Sequence, residues 1–213
     1  MSSALHTRWT AFAGERCLAS GDLFDVARSA KLTIDAGTSA PILIFNDSTS
    51  EQLEVDFRGT VDDVLRRIRQ AAGEPAPASP SVAPRSPGRP KLGVVAREVT
   101  LLPRHWDWLS AQPGGASVAL RKLVDAARRT NEGSDRVRLA REAAYKFMSA
   151  MAGNLPGFEE ATRALFAGRR QRFIDLIEPW PVDVRQHAEK LAADAFPDSP
   201  AEEEGREAML VKS

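Results

Sequence analysis

From Arg8 to Ala71 the spacing of apolar side chains switches between the period of a strand and that of a helix. Arg8–Ala13 and Arg16–Ala19 flank Gly14-Glu15, which predicts a β-hairpin. Asp22 then stands as an N-cap before Leu23, Val26, Ala27, Ala30 and Lys31, a helical stripe that ends near Asp35-Ala36-Gly37. Pro41-Ile42-Leu43-Ile44-Phe45 has the length and continuity of a buried strand and is closed by Asn46-Asp47-Ser48. Leu53, Val55 and Phe57 alternate with Glu54, Asp56 and Arg58, the pattern of a half-buried strand. Thr60-Val61-Asp62-Asp63 reads as a capping box, which Val61, Val64, Leu65 and Ile68 continue at helical spacing. The predicted order is ββαββα, a small α/β module over residues 8–72.

Over residues 73–90 the pattern disappears. Pro75, Pro77, Pro80, Pro84, Pro87 and Pro90 are mixed with Ala, Ser and Gly, leaving little to bury, so this stretch reads as a flexible, semi-extended linker. Lys91–Leu102 regains strand character through Val94, Val95, Val99, Thr100, Leu101 and Leu102. Pro103 opens a short helix with Trp106 and Leu109 on one face, and Pro113-Gly114-Gly115 ends it. Ser117 reads as the cap of a second helix with Leu120, Leu123, Val124 and Ala127 on its buried side, which completes a strand–helix–helix segment over residues 91–130. Ser134 reads as the cap of a third helix, in which Val137, Ala140, Ala144, Phe147, Met148 and Met151 form the core stripe. With Pro156–Ala167, Arg169–Glu178 and Pro181–Ala195 it makes a helical module over residues 134–196. An acidic tail, residues 197–213 with Glu202-Glu203-Glu204, predicts disorder. The fold class expected is α+β: the ββαββα module, the linker, then a strand leading a mostly helical second part.

Charge sharpens the middle of this picture. The chain as a whole is formally neutral, but it carries −3 over residues 1–84, +7 over 85–146 and −4 over 147–213. A basic block between acidic flanks suits an anionic partner, although solvated helix faces also produce one. Cys17 is the single cysteine, which excludes an internal disulfide or a multi-cysteine zinc site, and it reads as a small buried hydrophobe. No apolar run approaches the roughly 18–20 residues that span a bilayer, and Met1–Thr10 lacks a signal-peptide core. The expectation is a cytoplasmic chain with no membrane partner.

The segment Arg97-Glu98-Val99-Thr100-Leu101-Leu102-Pro103, followed by two helices joined through Gly114-Gly115-Ala116-Ser117, resembles a ribbon–helix–helix DNA-binding motif. In that motif the strand pairs with its copy from a second chain, and the two-stranded ribbon enters the major groove. The resemblance implies a homodimer on duplex DNA, with Arg97 and Thr100 directed at bases and Ser117 at a phosphate. Val99-Thr100-Leu101-Leu102 does not alternate cleanly, so which side would face the groove stays open. Ahead of it, Arg85, Arg89 and Lys91 surround Pro87-Gly88-Arg89-Pro90, whose Gly-Arg-Pro resembles an AT-hook and implies an arm in the minor groove.

Catalytic chemistry is sparse by comparison. His6, His105 and His187 stand alone, without the pairing of a helical zinc site. Gly114-Gly115-Ala116-Ser117-Val118 lacks the second glycine of a nucleophile elbow and the lysine of a phosphate-binding loop. Neither an enzyme nor a cofactor or metal is expected. An enzyme would need His105, Arg104 and Ser117 in one pocket, whereas a protein-interaction scaffold would use the 134–196 helices on an unknown protein partner.

Longer runs resemble a known family. These are Gly88–Trp106, Pro113-Gly114-Gly115-Ala116-Ser117, Tyr145-Lys146-Phe147-Met148-Ser149-Ala150-Met151-Ala152-Gly153 and Leu155-Pro156-Gly157-Phe158-Glu159-Glu160-Ala161. They are similar to a bacterial family known as domain of unknown function 2239, from Thr10 to about Ala195. The resemblance implies a bacterial, cytosolic protein and brings no activity, ligand or catalytic residue with it.

Overall fold

The computed structural model describes residues 7–72, 95 and 97–196. Strands β1 (Trp9–Ala13) and β2 (Arg16–Gly21) form the hairpin, turning at Gly14, whose φ of +55° is costly for a residue with a Cβ. Helix α1 (Leu23–Asp35) follows, and the Asp22 carboxylate caps it by accepting from the Phe24 N–H. It leads to β3 (Ile42–Asn46), which pairs with the other side of β1. The sheet order is β2-β1-β3, with both neighbours antiparallel to β1.

The predicted fourth strand over Leu53–Phe57 does not form. Residue 53 still donates its N–H to Ile44 O, and Phe45 bridges Gln52, but the backbone then leaves the sheet. Its carbonyls find another partner: the Arg67 guanidinium donates to Asp56 O at 2.7 Å and also to Arg58 O. Leu53, Val55 and Phe57 keep their inward alternation, half-buried against the core, without a ladder of hydrogen bonds. Helix α2 (Val61–Ala71) closes this part with a true capping box, Thr60 Oγ1 accepting from Asp63 N–H and Asp63 Oδ2 from Thr60 N–H. Thr60→Ala is expected to cost about 1 kcal/mol, read as a lowered urea midpoint with an unchanged slope.

Helix α3 (Pro103–Ser110) begins with proline at its first position, as the sequence predicts. The next two predicted helices are one, α4 (Gly115–Ala152), of 38 residues. Neither Ser117 nor Ser134 is a cap: the first lies in the opening turn and the second inside the helix. The Thr130-Asn131 step does not break it, because both side chains fold back to bond carbonyls one turn earlier, Ala126 O and Ala127 O. Helices α5 (Phe158–Phe166), α6 (Arg170–Ile177) and α7 (Val182–Leu191), with a final 3₁₀ turn at Ala193–Ala195, match the three short helices expected.

The chain divides into two units, Met1–Ala76 with Ser134–Ser213, and Pro77–Gly133. In the first, the α/β segment and the C-terminal helices share their packing. Strand β1 is buried along its whole length because it has a layer on each face. Trp9, Ala11 and Ile44 pack with α1 and α2, while Phe12 and Phe45 pack with Phe147, Met148, Val184 and Ala188. Phe147 from α4 touches both sheet phenylalanines, its ring centroid 5.4 Å from Phe12 and 5.2 Å from Phe45. At the far end of this core, the Trp180 indole N–H donates to Pro156 O at 2.9 Å, so its polar atom is satisfied where it is buried.

Candidate nucleic-acid interface

In the second unit, residues 97–102 form no strand within one chain. A lone strand has no neighbour to accept its N–H groups, and none of the described residues offers one. The backbone at Leu102 is nonetheless extended, with φ −68° and ψ 150°. Arg97 and Thr100 are both exposed on it, and so are Val99 and Leu102, so neither side of the segment is covered. The sequence-predicted Arg85, Arg89 and Lys91 lie outside the described residues.

Ser117 is exposed in the first turn of α4, where its carbonyl accepts from Arg121 Nε. Gly114 and Gly115, with φ of +85° and +75°, turn the chain from α3 into that helix. A Cβ at Gly114 would sit 3.2 Å from Val118, so the tight turn needs glycine twice over. His105 and Ser117 are both exposed and share no hydrogen bond or ion pair with Arg104 among the described residues.

The apolar positions of this unit depart most from expectation. Leu109 is buried, yet Trp106, expected on the same face, is 39% exposed, and Trp108 is 53% exposed. Leu123 and Val124, predicted on the buried side of their helix, are 49% and 55% exposed. A short helix and half of a long one offer one another little surface, so among the described residues nothing covers this amphipathic pattern.

A second polar constellation was not legible in the sequence. Asp47, in the loop after β3, accepts from Thr10 Oγ1 at 2.6 Å and pairs with Lys190 Nζ of α7 at 2.5 Å. Thr10 also shares a hydrogen bond with the Ser20 hydroxyl at 2.9 Å, and Asp183 Oδ2 accepts from the Cys17 N–H at 2.8 Å. One turn before Lys190, His187 is only 7% exposed, packed against the rings of Phe12 and Phe147. Burial pushes its imidazole down to about 4, against the opposing pull of Asp47. Burial also pushes the Cys17 thiol up, and the Asp183 carboxylate adds to this, in keeping with an unreactive side chain. The adjoining cleft of about 310 Å³ is lined by Asp47, Ser48, Arg136, Lys190 and Asp194 among apolar residues, with charges of both signs. Among the described residues no three His, Cys, Asp or Glu side chains gather to hold a metal. The single clue in the sequence was Asp183, His187 and Lys190 on one face of a predicted helix; their sheet-side partners are more than a hundred residues away.

The structure thus defines an α+β protein, mostly helical, with a three-stranded antiparallel sheet and no helix, among the described residues, long and apolar enough to cross a membrane. Residues 8–192 match the family described as an uncharacterized protein conserved in bacteria (DUF2239), and the chain belongs to that family. No curated protein and no solved structure matches it.

Proposed function

We propose that the protein is a homodimer that binds duplex DNA, with the two copies of residues 97–102 pairing as a ribbon in the major groove and acting in gene regulation. The observation that carries this reading is the uncovered apolar surface of the second unit: Val99 and Leu102 on an unpaired extended segment, then Trp106, Trp108, Leu123 and Val124 on the two helices that follow. Exposed apolar side chains concentrated on one small unit mark an interaction surface. Pairing two such segments would satisfy the unpaired backbone and cover the helices at once. Arg97 and Thr100 then stand on the ribbon, Ser117 at a helix start suited to phosphate, and Arg85, Arg89 and Lys91 on the preceding stretch.

Fluorescence anisotropy on random-sequence duplexes tests it. Affinity is expected to fall about 10-fold or more between about 50 mM and about 200 mM salt, and Arg89→Ala, Lys91→Ala and Arg97→Ala together to weaken binding and flatten that dependence. No binding at the lower salt, or binding indifferent to the three substitutions, refutes the reading. The same apolar surface would also serve a protein-interaction scaffold without nucleic-acid binding, and retention of a distinct protein by the full chain with none on DNA is the result that favours it.

A further inference from the structure

The hydrogen-bond ladder on the outer edge of β3 stops at Leu53. On the inner edge, Pro41 O accepts from the Gly14 N–H and Asp47 N–H donates to Arg8 O, both at 2.9 Å. In that register the odd-numbered residues of β3 turn their backbone groups towards β1, and the even-numbered ones turn theirs away. Asn46 N–H donates to Glu51 O and Ile44 O accepts from the Leu53 N–H, again at 2.9 Å. Ile42 is next in the row, and the bridge between Phe45 and Gln52 sets its opposite number as Val55. That pair does not form: among the described residues the outward N–H and C=O of Ile42 have no partner, and those of Val55 have none either. Arg67 takes the carbonyls of Asp56 and Arg58 and leaves Val55 alone. Ile42 and Val55 both line a cleft of about 560 Å³, with Ile34, Leu53 and Phe57 half-buried around it. Its charge is of one sign. Glu54 lines it, exposed and without an ion pair among the described residues, and no lysine or arginine does.

We infer that this cleft receives an extended segment of another protein, which bonds the free backbone of Ile42 and Val55 and brings basic side chains to Glu54. The unmade backbone bonds select the shape of the occupant. An extended chain presents N–H and C=O groups along both edges, residue by residue in alternation, so it reaches Ile42 on one side and Val55 on the other. A helix keeps its backbone groups for itself. An apolar small molecule would shut water out from four polar groups without bonding any of them, which is costly. Side chains on one face of the inserted strand then meet Ile34, Leu53 and Phe57, and those on the other carry the charge, as in other cases where a peptide adds a strand to a free sheet edge. The acidic rim decides between partners. A second copy joined through the same edge would bring its own Glu54 to a cleft that already holds one, whereas a segment alternating apolar with basic residues matches both the lining and the charge.

The full-length chain and the synthetic peptide acetyl-Lys-Val-Lys-Val-Lys-Val-Lys-amide test this, with its glutamate counterpart as the control. The lysine peptide is expected to shift the backbone amide resonances of Ile42 and Val55, to slow their hydrogen exchange, and to bind about 10-fold or more tightly than the glutamate peptide. Methylating the valine amide nitrogens of the lysine peptide strips the donors from one edge and leaves every side chain in place. That peptide is expected to bind about 10-fold or more weakly. Glu54→Lys, at an exposed position, is expected to leave the circular dichroism spectrum unchanged, to weaken the lysine peptide about 10-fold and to strengthen the glutamate peptide. Binding indifferent to methylation assigns the cleft to apolar contact alone and overturns the strand pairing. Shifts at Ile42 and Val55 that grow with the concentration of the chain itself, and that neither peptide reverses, assign the edge to a second copy and overturn the other-protein partner. Resonances of Ile42 and Val55 that stay unmoved by the lysine peptide at about millimolar concentration overturn the inference outright.

Discussion

Phe147→Ala is expected to destabilise the protein by about 3–5 kcal/mol and to do so for the sheet and the C-terminal helices together. Phe147 is fully buried, and its ring meets Phe12 of β1, Phe45 of β3 and His187 of α7. Truncation therefore removes contacts to three elements at once and leaves a cavity whose walls, two strands and a helix, are held by their own hydrogen bonds and close on it poorly. The measurement is urea unfolding followed through Trp9, on the α1–α2 side of the sheet, and Trp180, in the helical core, with Trp106 and Trp108 replaced by Phe. Both probes are expected to report one transition in the parent and the same downward shift in the variant. Two separate transitions, or a shift seen by Trp180 alone, would show that the α/β part and the helical part are independent.

Lowering the pH from 6.5 towards 4 is expected to weaken the fold through His187, and His187→Gln to remove that part of the dependence. The imidazole is held at about 4 in the folded protein, against 6.5 for an unperturbed histidine. Between those values the unfolded chain binds the extra proton and the folded chain does not, so acidification favours unfolding. The contribution is complete above 6.5, falls by at most about 1.4 kcal/mol per pH unit below it, and is spent once the pH has passed through the folded value. A total on the order of 3 kcal/mol follows, reduced to the extent that the ring reaches solvent. Asp47 and Lys190 act on the ring in opposite directions and are outweighed by burial among Phe12 and Phe147. Urea unfolding of the parent and the variant between pH 7 and about 5, above the range where most carboxylates protonate, isolates the histidine. Parallel stability curves for the two proteins would refute the assignment.

Local chemistry made much of the first unit readable. Asp22 and Thr60 cap the helices that they were expected to cap, Gly14 turns the hairpin, and Leu23, Val26, Ala27 and Ala30 are the buried stripe of α1. The errors share a cause. Leu53–Phe57 alternates like a strand and packs like one, but a distant guanidinium, Arg67, takes the carbonyls of Asp56 and Arg58 that a strand would have offered to a neighbour. Ser117 and Ser134 have the side chain of a cap, yet a helix continues through both where its next residues are good helix formers and no proline intervenes. The polar cluster around Asp47 was invisible for the same reason: Thr10, Asp47 and Lys190 are each unremarkable in their own neighbourhoods and acquire meaning only when β1, the loop after β3 and α7 meet.

By itself, then, the amino-acid sequence determined where α1, α2 and α3 begin and which side of α1 and α2 is apolar, because caps, turns and stripes are set by residues within about one turn of one another. Tertiary structure alone decided what covers those sides. The alternating Trp9, Ala11 and Thr10, Phe12 of β1 demand a layer on each face without naming it, and α1–α2 and α4–α7 became those layers through contacts spanning most of the chain. In the second unit the same local rules produced equally clear apolar stripes on α3 and α4, and the described residues bring too little surface to bury them.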